Sequence, residues 1–91
     1  MANIKSAAKR ARQTLKRTER NRYYKTTART YIKRAKAEID GNQLDEATET
    51  VRLANKALDK AAQKGAIHKN NAARRKSRLM KALYRAKTGD N

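Results

Sequence analysis

The sequence predicts an all-α fold: a three-helix antiparallel bundle whose long first helix projects as a basic N-terminal arm. Three observations carry this reading. Proline is absent, and Ala, Lys, Arg, Leu and Glu, all strong helix formers, dominate the 91 residues. Apolar residues recur at helical spacing rather than in alternation. The glycines, Gly41, Gly65 and Gly89, stand where apolar-periodic runs stop, which is where a helix needs a left-handed C-terminal cap. The helices expected are about 4–39, 43–64 and 68–87, joined by tight turns, within one domain spanning 1–91.

The first helix carries two apolar stripes. Ile4, Ala8, Ala11 and Leu15 share one face, whereas Tyr24, Ala28, Tyr31, Ala35 and Ile39, with Ile32 beside them, share another. At roughly 100° per residue these faces lie on nearly opposite sides of a continuous helix, so both cannot pack into one short bundle. Helices of about 20 residues reach roughly 30 Å, while about 36 residues reach roughly 54 Å. Residues 1–20 are therefore expected to project, 21–87 to form the bundle, and 88–91, ending in Asp90-Asn91, to fray.

The second helix opens after Gly41. Asn42 with Asp45 resembles a capping box, and Asp45 and Glu46 occupy the first turn, where the helix dipole favours anions. Its stripe is Leu44, Ala47, Val51, Ala54, Leu58 and Ala61, spaced 3-4-3-4-3, and Leu53 and Ala57 widen it. A wide face suits a helix held between two others. Gly65 closes this helix. Ile67 and His68 then read as N′ and N-cap of the third, with Ile67 stapling onto Ala72. The third helix is expected to bury Ala72, Ala73, Leu79, Met80, Leu83 and Tyr84, leaving Arg74, Arg78, Lys81 and Arg85 as the opposite ridge. Lys76 falls inside the apolar stripe, where it either snorkels or pairs with an acid of helix two.

Charge is partitioned along the chain. Residues 1–36 carry thirteen Lys or Arg against Glu19, residues 37–59 carry six acids against Arg52 and Lys56, and residues 60–91 carry ten bases against Asp90. The formal net charge of +17 calls for a polyanionic partner, most commonly a phosphate backbone. Half of the apolar residues are alanine (17), and Phe and Trp are absent, so the core is small and part of the chain is expected to order fully only on its partner. No cysteine is present, which removes disulfides, thiolate metal sites and a Cys nucleophile. No apolar run reaches signal-peptide or membrane-spanning length, and a cytoplasmic protein is the expectation.

Two constellations point to nucleic acid. Lys5, Lys9, Arg12, Lys16 and Arg20, at steps of 4-3-4-4, form one basic ridge, flanked by Arg10, Arg17 and Arg22. A solvated face would interleave Glu with Lys, and here only Glu19 interrupts. The ridge can track a phosphate strand, and its arginines add bidentate phosphate contacts and stacking on bases. The second is the turn into helix three, where His68, Lys69 and Asn70 precede Arg74, Arg75 and Arg78. A helix N-terminus presents free N–H groups to anions, and Lys69 there opposes the dipole unless an anion docks.

His68 has no ligand-spaced partner, so no metal site is expected; it reads as an N-cap or as a hydrogen-bonding partner of RNA. Tyr24, Tyr31 and Tyr84 lie on packing stripes, whereas Tyr23 is the better base-stacking candidate. Asp45, Glu46 and Glu49 compensate a dipole and solvate an outward face. No nucleophile, Gly-rich phosphate loop or substrate pocket is legible, so no catalytic residue, cofactor or small-molecule substrate is expected. Ile4, Ala8, Ala11 and Leu15 are too thin an apolar face for membrane anchoring. An architectural DNA-binding protein is the alternative, distinguished by dimer symmetry or intercalating apolar wedges.

Asn3-Ile4-Lys5-Ser6-Ala7-Ala8-Lys9-Arg10, Glu19-Arg20-Asn21, Leu58-Asp59-Lys60-Ala61-Ala62 and, above all, Gly65-Ala66-Ile67-His68-Lys69-Asn70-Asn71-Ala72-Ala73-Arg74-Arg75-Lys76-Ser77-Arg78-Leu79 fit one family in order and spacing. Together they closely resemble the bacterial-type small-subunit ribosomal protein number twenty family, over essentially the whole chain. The resemblance implies a three-helix bundle that binds 16S ribosomal RNA directly and helps assemble the small subunit; no homo-oligomer is expected. It assigns RNA contact to Lys69, Asn70, Arg74, Arg75 and Arg78. Bacterial and plastid ribosomes both fit it. The chain departs from the family mainly at Tyr23-Tyr24-Lys25, where small or basic residues are more usual.

Overall fold

The computed structural model describes residues 2–89, with side chains described from Ile4 onward. It contains three helices, α1 (Ala2–Asp40), α2 (Leu44–Gln63) and α3 (Lys69–Thr88), and no strand among the described residues. The fold class is the expected one. Thr88 remains helical and Gly89, at φ 77°, caps α3 by donating its N–H to the Arg85 carbonyl. The expected frayed end at Asp90-Asn91 lies outside the described residues.

The first turn differs from its reading. Gln43 N–H donates to the Glu38 carbonyl at 2.8 Å and Asn42 N–H to the Ile39 carbonyl at 3.1 Å, a Schellman closure of α1. Its left-handed residue is Asn42, at φ 59°, and not Gly41. Asn42 is thus committed to ending α1, and Gln43 serves both as the last residue of that motif and as N-cap of α2, without a side-chain cap bond. The Asn42–Asp45 capping box does not form because the turn is one residue too short to hold a separate cap. At the second turn the reading holds. Gly65 takes φ 76°, and Ala66 N–H reaches the Ala61 carbonyl at 2.8 Å. His68 is the N-cap of α3, its Nδ1 accepting from Asn70 N–H at 3.1 Å.

α2 lies between the other two helices, which touch each other far less than either touches α2. The core has two layers. Toward the first turn, Ala35, Ala47, Val51, Ala54, Leu79 and Leu83 cluster under Tyr31, Ile32 and Ile39. Toward the second turn, Ala28, Leu58 and Ala72 pack with Ile32, Ala57, Ala62 and Ile67, so Ile67 joins the cluster that holds Ala72. Alanine at 28, 35, 47, 54 and 72 lets the backbones approach closely, and among the described residues Leu58 is the one large side chain buried almost completely.

Two features of the core depart from the sequence reading. Ala73, Met80 and Tyr84 are exposed, Met80 at 53% and Tyr84 at 66%. α3 packs chiefly against one partner, so a narrow line through Ala72, Lys76, Leu79 and Leu83 suffices; residues about 100° around the helix stay outside. Lys76 resolves as the paired alternative, its Nζ standing 2.8 Å from Asp59 Oδ1 on α2. The other departure is Glu38, which is buried between α1 and α2. Its carboxylate accepts from Arg34 Nε at 3.0 Å and from the Thr50 hydroxyl, which lies 2.9 Å from both oxygens. A buried carboxylate is tolerated only with such partners.

Candidate nucleic-acid interface

The molecule measures 67 × 21 × 15 Å, and the long axis follows α1. At roughly 1.5 Å per residue α1 is about 58 Å long, nearly twice the length of its partners. Every side chain from Ile4 to Arg20 is exposed, including Leu15 at 60%. Lys5, Lys9, Arg12, Lys16 and Arg20 form a row roughly 22 Å long on this free stretch, with Arg10, Arg17 and Arg22 around it. None of the ion pairs found among the described residues involves these side chains, so their charge is uncompensated within the chain.

Sequence order separates the arm from the turn into α3, but the antiparallel path of α2 brings them together. Arg20 Nη2 approaches the Lys64 carbonyl at 3.5 Å, which sets the root of the arm beside the second turn. His68, Lys69 and Asn70 are exposed there. His68 already satisfies the Asn70 amide, so the helix terminus offers an anion one donor fewer than its sequence suggests. Arg74 and Arg78 lie on the outer face of α3 with Lys81 and Arg85. Arg75 points elsewhere: with Asn71, whose Oδ1 accepts from its Nε at 2.6 Å, it lines a cleft of about 340 Å³ against Lys25 and Arg29 of α1.

Lys25 and Arg29 were not among the residues singled out from the sequence. They belong to a second ridge, Arg22, Lys25, Arg29, Lys33 and Lys36, spaced 3-4-4-3 and exposed throughout. That spacing is as regular as the arm's and equally legible in the sequence. It differs in that the bundle half of α1 also carries a core stripe, which draws attention from its flank. The ridge also borders an adjoining groove lined by Arg22, Lys25 and Arg29 with Asn21, whose Oδ1 is buried without a hydrogen-bond partner.

The acids gather at the opposite end. Asp40, Asp45, Glu46 and Glu49 are exposed around the first turn, as far from the arm as the bundle allows. The hydrogen bond and charge of Arg52 hold the Glu49 carboxyl below its ordinary range, so this acid stays ionised and paired on the surface. Acid is thus concentrated at the end remote from the arm, while exposed bases run the whole length of the molecule. Among the described residues no group of His, Asp and Glu gathers at metal-binding distance, and no helix is long and apolar enough to cross a membrane.

Fold and surface together define a class: a small all-helical protein whose chemistry is a shaped field of positive charge, spread over one arm, one junction and one flank. The model of the family described as ribosomal protein S20 matches residues 2–84, and the chain belongs to that family. Three proteins called small ribosomal subunit protein bS20 illustrate the similarity. That of Coprothermobacter proteolyticus is 54% identical over 81 residues, covering 89% of this chain and 92% of its own. That of Thermomicrobium roseum is 50% identical over 90 residues, covering 96% and 91%. That of Wolinella succinogenes is 53% identical over 79 residues, covering 87% of each. Family membership makes the chain a ribosomal structural protein of bacterial type and not an enzyme, in agreement with the resemblance carried by Gly65–Leu79.

Proposed function

We propose that this chain is a constituent of the small ribosomal subunit that binds 16S ribosomal RNA directly and stabilises its fold during assembly. The observation that carries this reading is the junction at the second turn. There the root of the arm, the N-terminus of α3 and the Lys25–Arg29–Arg75 cleft meet within one short stretch of surface. The small-subunit name of the relatives supports the same partner.

In this reading residues 1–20 act as an arm that enters the RNA and residues 21–87 as the bundle that sets its angle. Cations on the arm let RNA segments approach one another, and the rigid helix keeps their geometry. Lys5, Lys9, Arg10, Arg12, Lys16, Arg17 and Arg20 contact phosphates from the arm and Arg22 from the bundle just beyond it, while His68, Lys69, Asn70, Arg74, Arg75 and Arg78 contact them from α3.

The test is binding of the full chain to 16S ribosomal RNA across a salt series, with duplex DNA as competitor. With about eight to ten phosphates neutralised, log affinity falls against log salt with a slope of roughly −6 to −9. A slope shallower than about −2, or equal competition by DNA, would overturn the reading.

A further inference from the structure

One exposed aromatic surface has no part in the basic interface. Tyr84 and Met80 stand out from α3 on the flank opposite Arg75, where sequence periodicity had placed them in the core. Between them and α2 runs a groove of about 360 Å³, lined by Val51, Asn55, Met80, Leu83, Tyr84 and Lys87. Asn55 contributes a side-chain Oδ1 that is buried and has no hydrogen-bond partner in the protein. Met80 and Tyr84 also border a second shallow groove, shared with Ser77 and Lys81, so the tyrosine forms a ridge with a trough on either side.

We infer that this groove receives one unpaired RNA nucleotide, its base stacked on Tyr84 and Met80, its edge hydrogen-bonded to Asn55, and its phosphate against Lys87. The inference rests on the RNA reading above and adds a contact on the other side of the bundle. Three features select the occupant. An aromatic ring that is 66% exposed and borders two grooves offers a stacking platform for any base. The Asn55 Oδ1 lies under the groove wall without a partner; a turn of the amide about its last torsion brings it to the N–H donors that every base carries on its edge, whereas an apolar side chain of a protein partner would leave it unpaired. Lys87 lines this groove and Lys81 the adjoining one, and neither is in an ion pair found among the described residues; Arg52, which also lines the groove, is paired with Glu49. A phosphate is the complement of such a rim. The arm then supplies charge without selectivity for unpaired bases, and this groove supplies that selectivity.

The chain contains no tryptophan, which makes a direct test available. In full-length Tyr84→Trp, addition of a short single-stranded oligoadenylate should quench the emission, while the same substitution at Tyr31, which is packed against the core, should respond far less. Tyr84→Ala should weaken oligoadenylate binding about 5- to 100-fold, with its salt slope unchanged because no phosphate contact is removed, and Tyr84→Phe should restore it. Asn55→Leu should weaken binding with the helical circular dichroism intact. Unquenched emission together with wild-type affinity of Tyr84→Ala would overturn the inference and leave the groove as a docking surface for a protein side chain. A steep salt slope on 16S ribosomal RNA with that negative result sinks this inference alone. A shallow slope on 16S ribosomal RNA sinks the reading beneath it.

Discussion

The two halves of α1 share one continuous backbone and a similar load of bases, yet they are held in place by different forces. Residues 4–20 carry seven Lys or Arg against one acid, and all of their side chains face solvent. Residues 21–40 carry six bases, but Ala28, Ala35 and Glu38 are buried against α2, and Tyr24, Tyr31, Ile32 and Ile39 are partly covered. The first half is helical by propensity alone, opposed by like charges at i,i+4 such as Lys5–Lys9 and Arg12–Lys16. The second half is helical because its apolar face is covered. A chain can therefore present a helix to a partner without a core beneath it, provided a neighbouring stretch is anchored and the partner supplies the missing counter-charge.

The largest effect expected from breaking this comparison lies in binding. Replacing Lys5, Lys9, Arg12 and Lys16 together by Gln removes four cations and no packing. Affinity for 16S ribosomal RNA should fall on the order of 10³-fold near 0.1 M salt, and the salt slope should become shallower by about 3–4. The melting temperature should hold or rise. A parallel loss of stability would show that the arm is part of the folded unit.

The next effect lies in stability and isolates the bundle. Leu58→Ala removes the most completely buried large side chain and should cost about 2–5 kcal/mol in denaturant unfolding. Leu15→Ala, the same change on the arm, should stay within about 0.5 kcal/mol. Equal costs would erase the distinction between the halves.

Smaller still is the polar lock between α1 and α2. Thr50→Val keeps the shape and removes the hydroxyl that serves the buried Glu38 carboxylate, and should destabilise by about 1.5–3 kcal/mol. Its effect on RNA affinity should be slight, since neither residue reaches the basic surface. At the second turn, Gly65→Ala introduces a Cβ that meets no atom but must sit at φ 76°, at a cost of about 1–2 kcal/mol. The same change at Gly41 should cost less, because its backbone is not left-handed; only the Ala37 carbonyl, 3.3 Å from the new Cβ, is tight.

Helix positions were legible to within a few residues, as was the failure of the arm's apolar stripe to join the core. These follow from composition and from a period that each helix expresses on its own. Ala73, Met80 and Tyr84 were misplaced for a reason that periodicity cannot reach. An apolar stripe says which side of a helix can be covered, but the width actually covered depends on how many partners press on it. α2 has two partners and uses its full face, Leu53 and Ala57 included; α3 has chiefly one and uses a line. Glu38 and Thr50 were invisible as a pair because each alone reads as a surface residue, and only the crossing of α1 over α2 places hydroxyl against carboxylate. The Asn42 cap was misread because the same residue serves well at either end of a helix, and the shortness of the turn decides which.

The sequence by itself determined three helices, an N-terminal stretch too polar on every bundle-facing side to be packed, the separation of bases from acids, and the family. All of these depend on residues near one another in the chain. The tertiary structure alone decided which charges meet. Reversal of the chain at Gly65 sets Arg20 beside Lys64 and the Lys25–Arg29 flank beside Arg75, and turns Tyr84 outward. Those outcomes depend on contacts between residues tens of positions apart, which local periodicity does not encode.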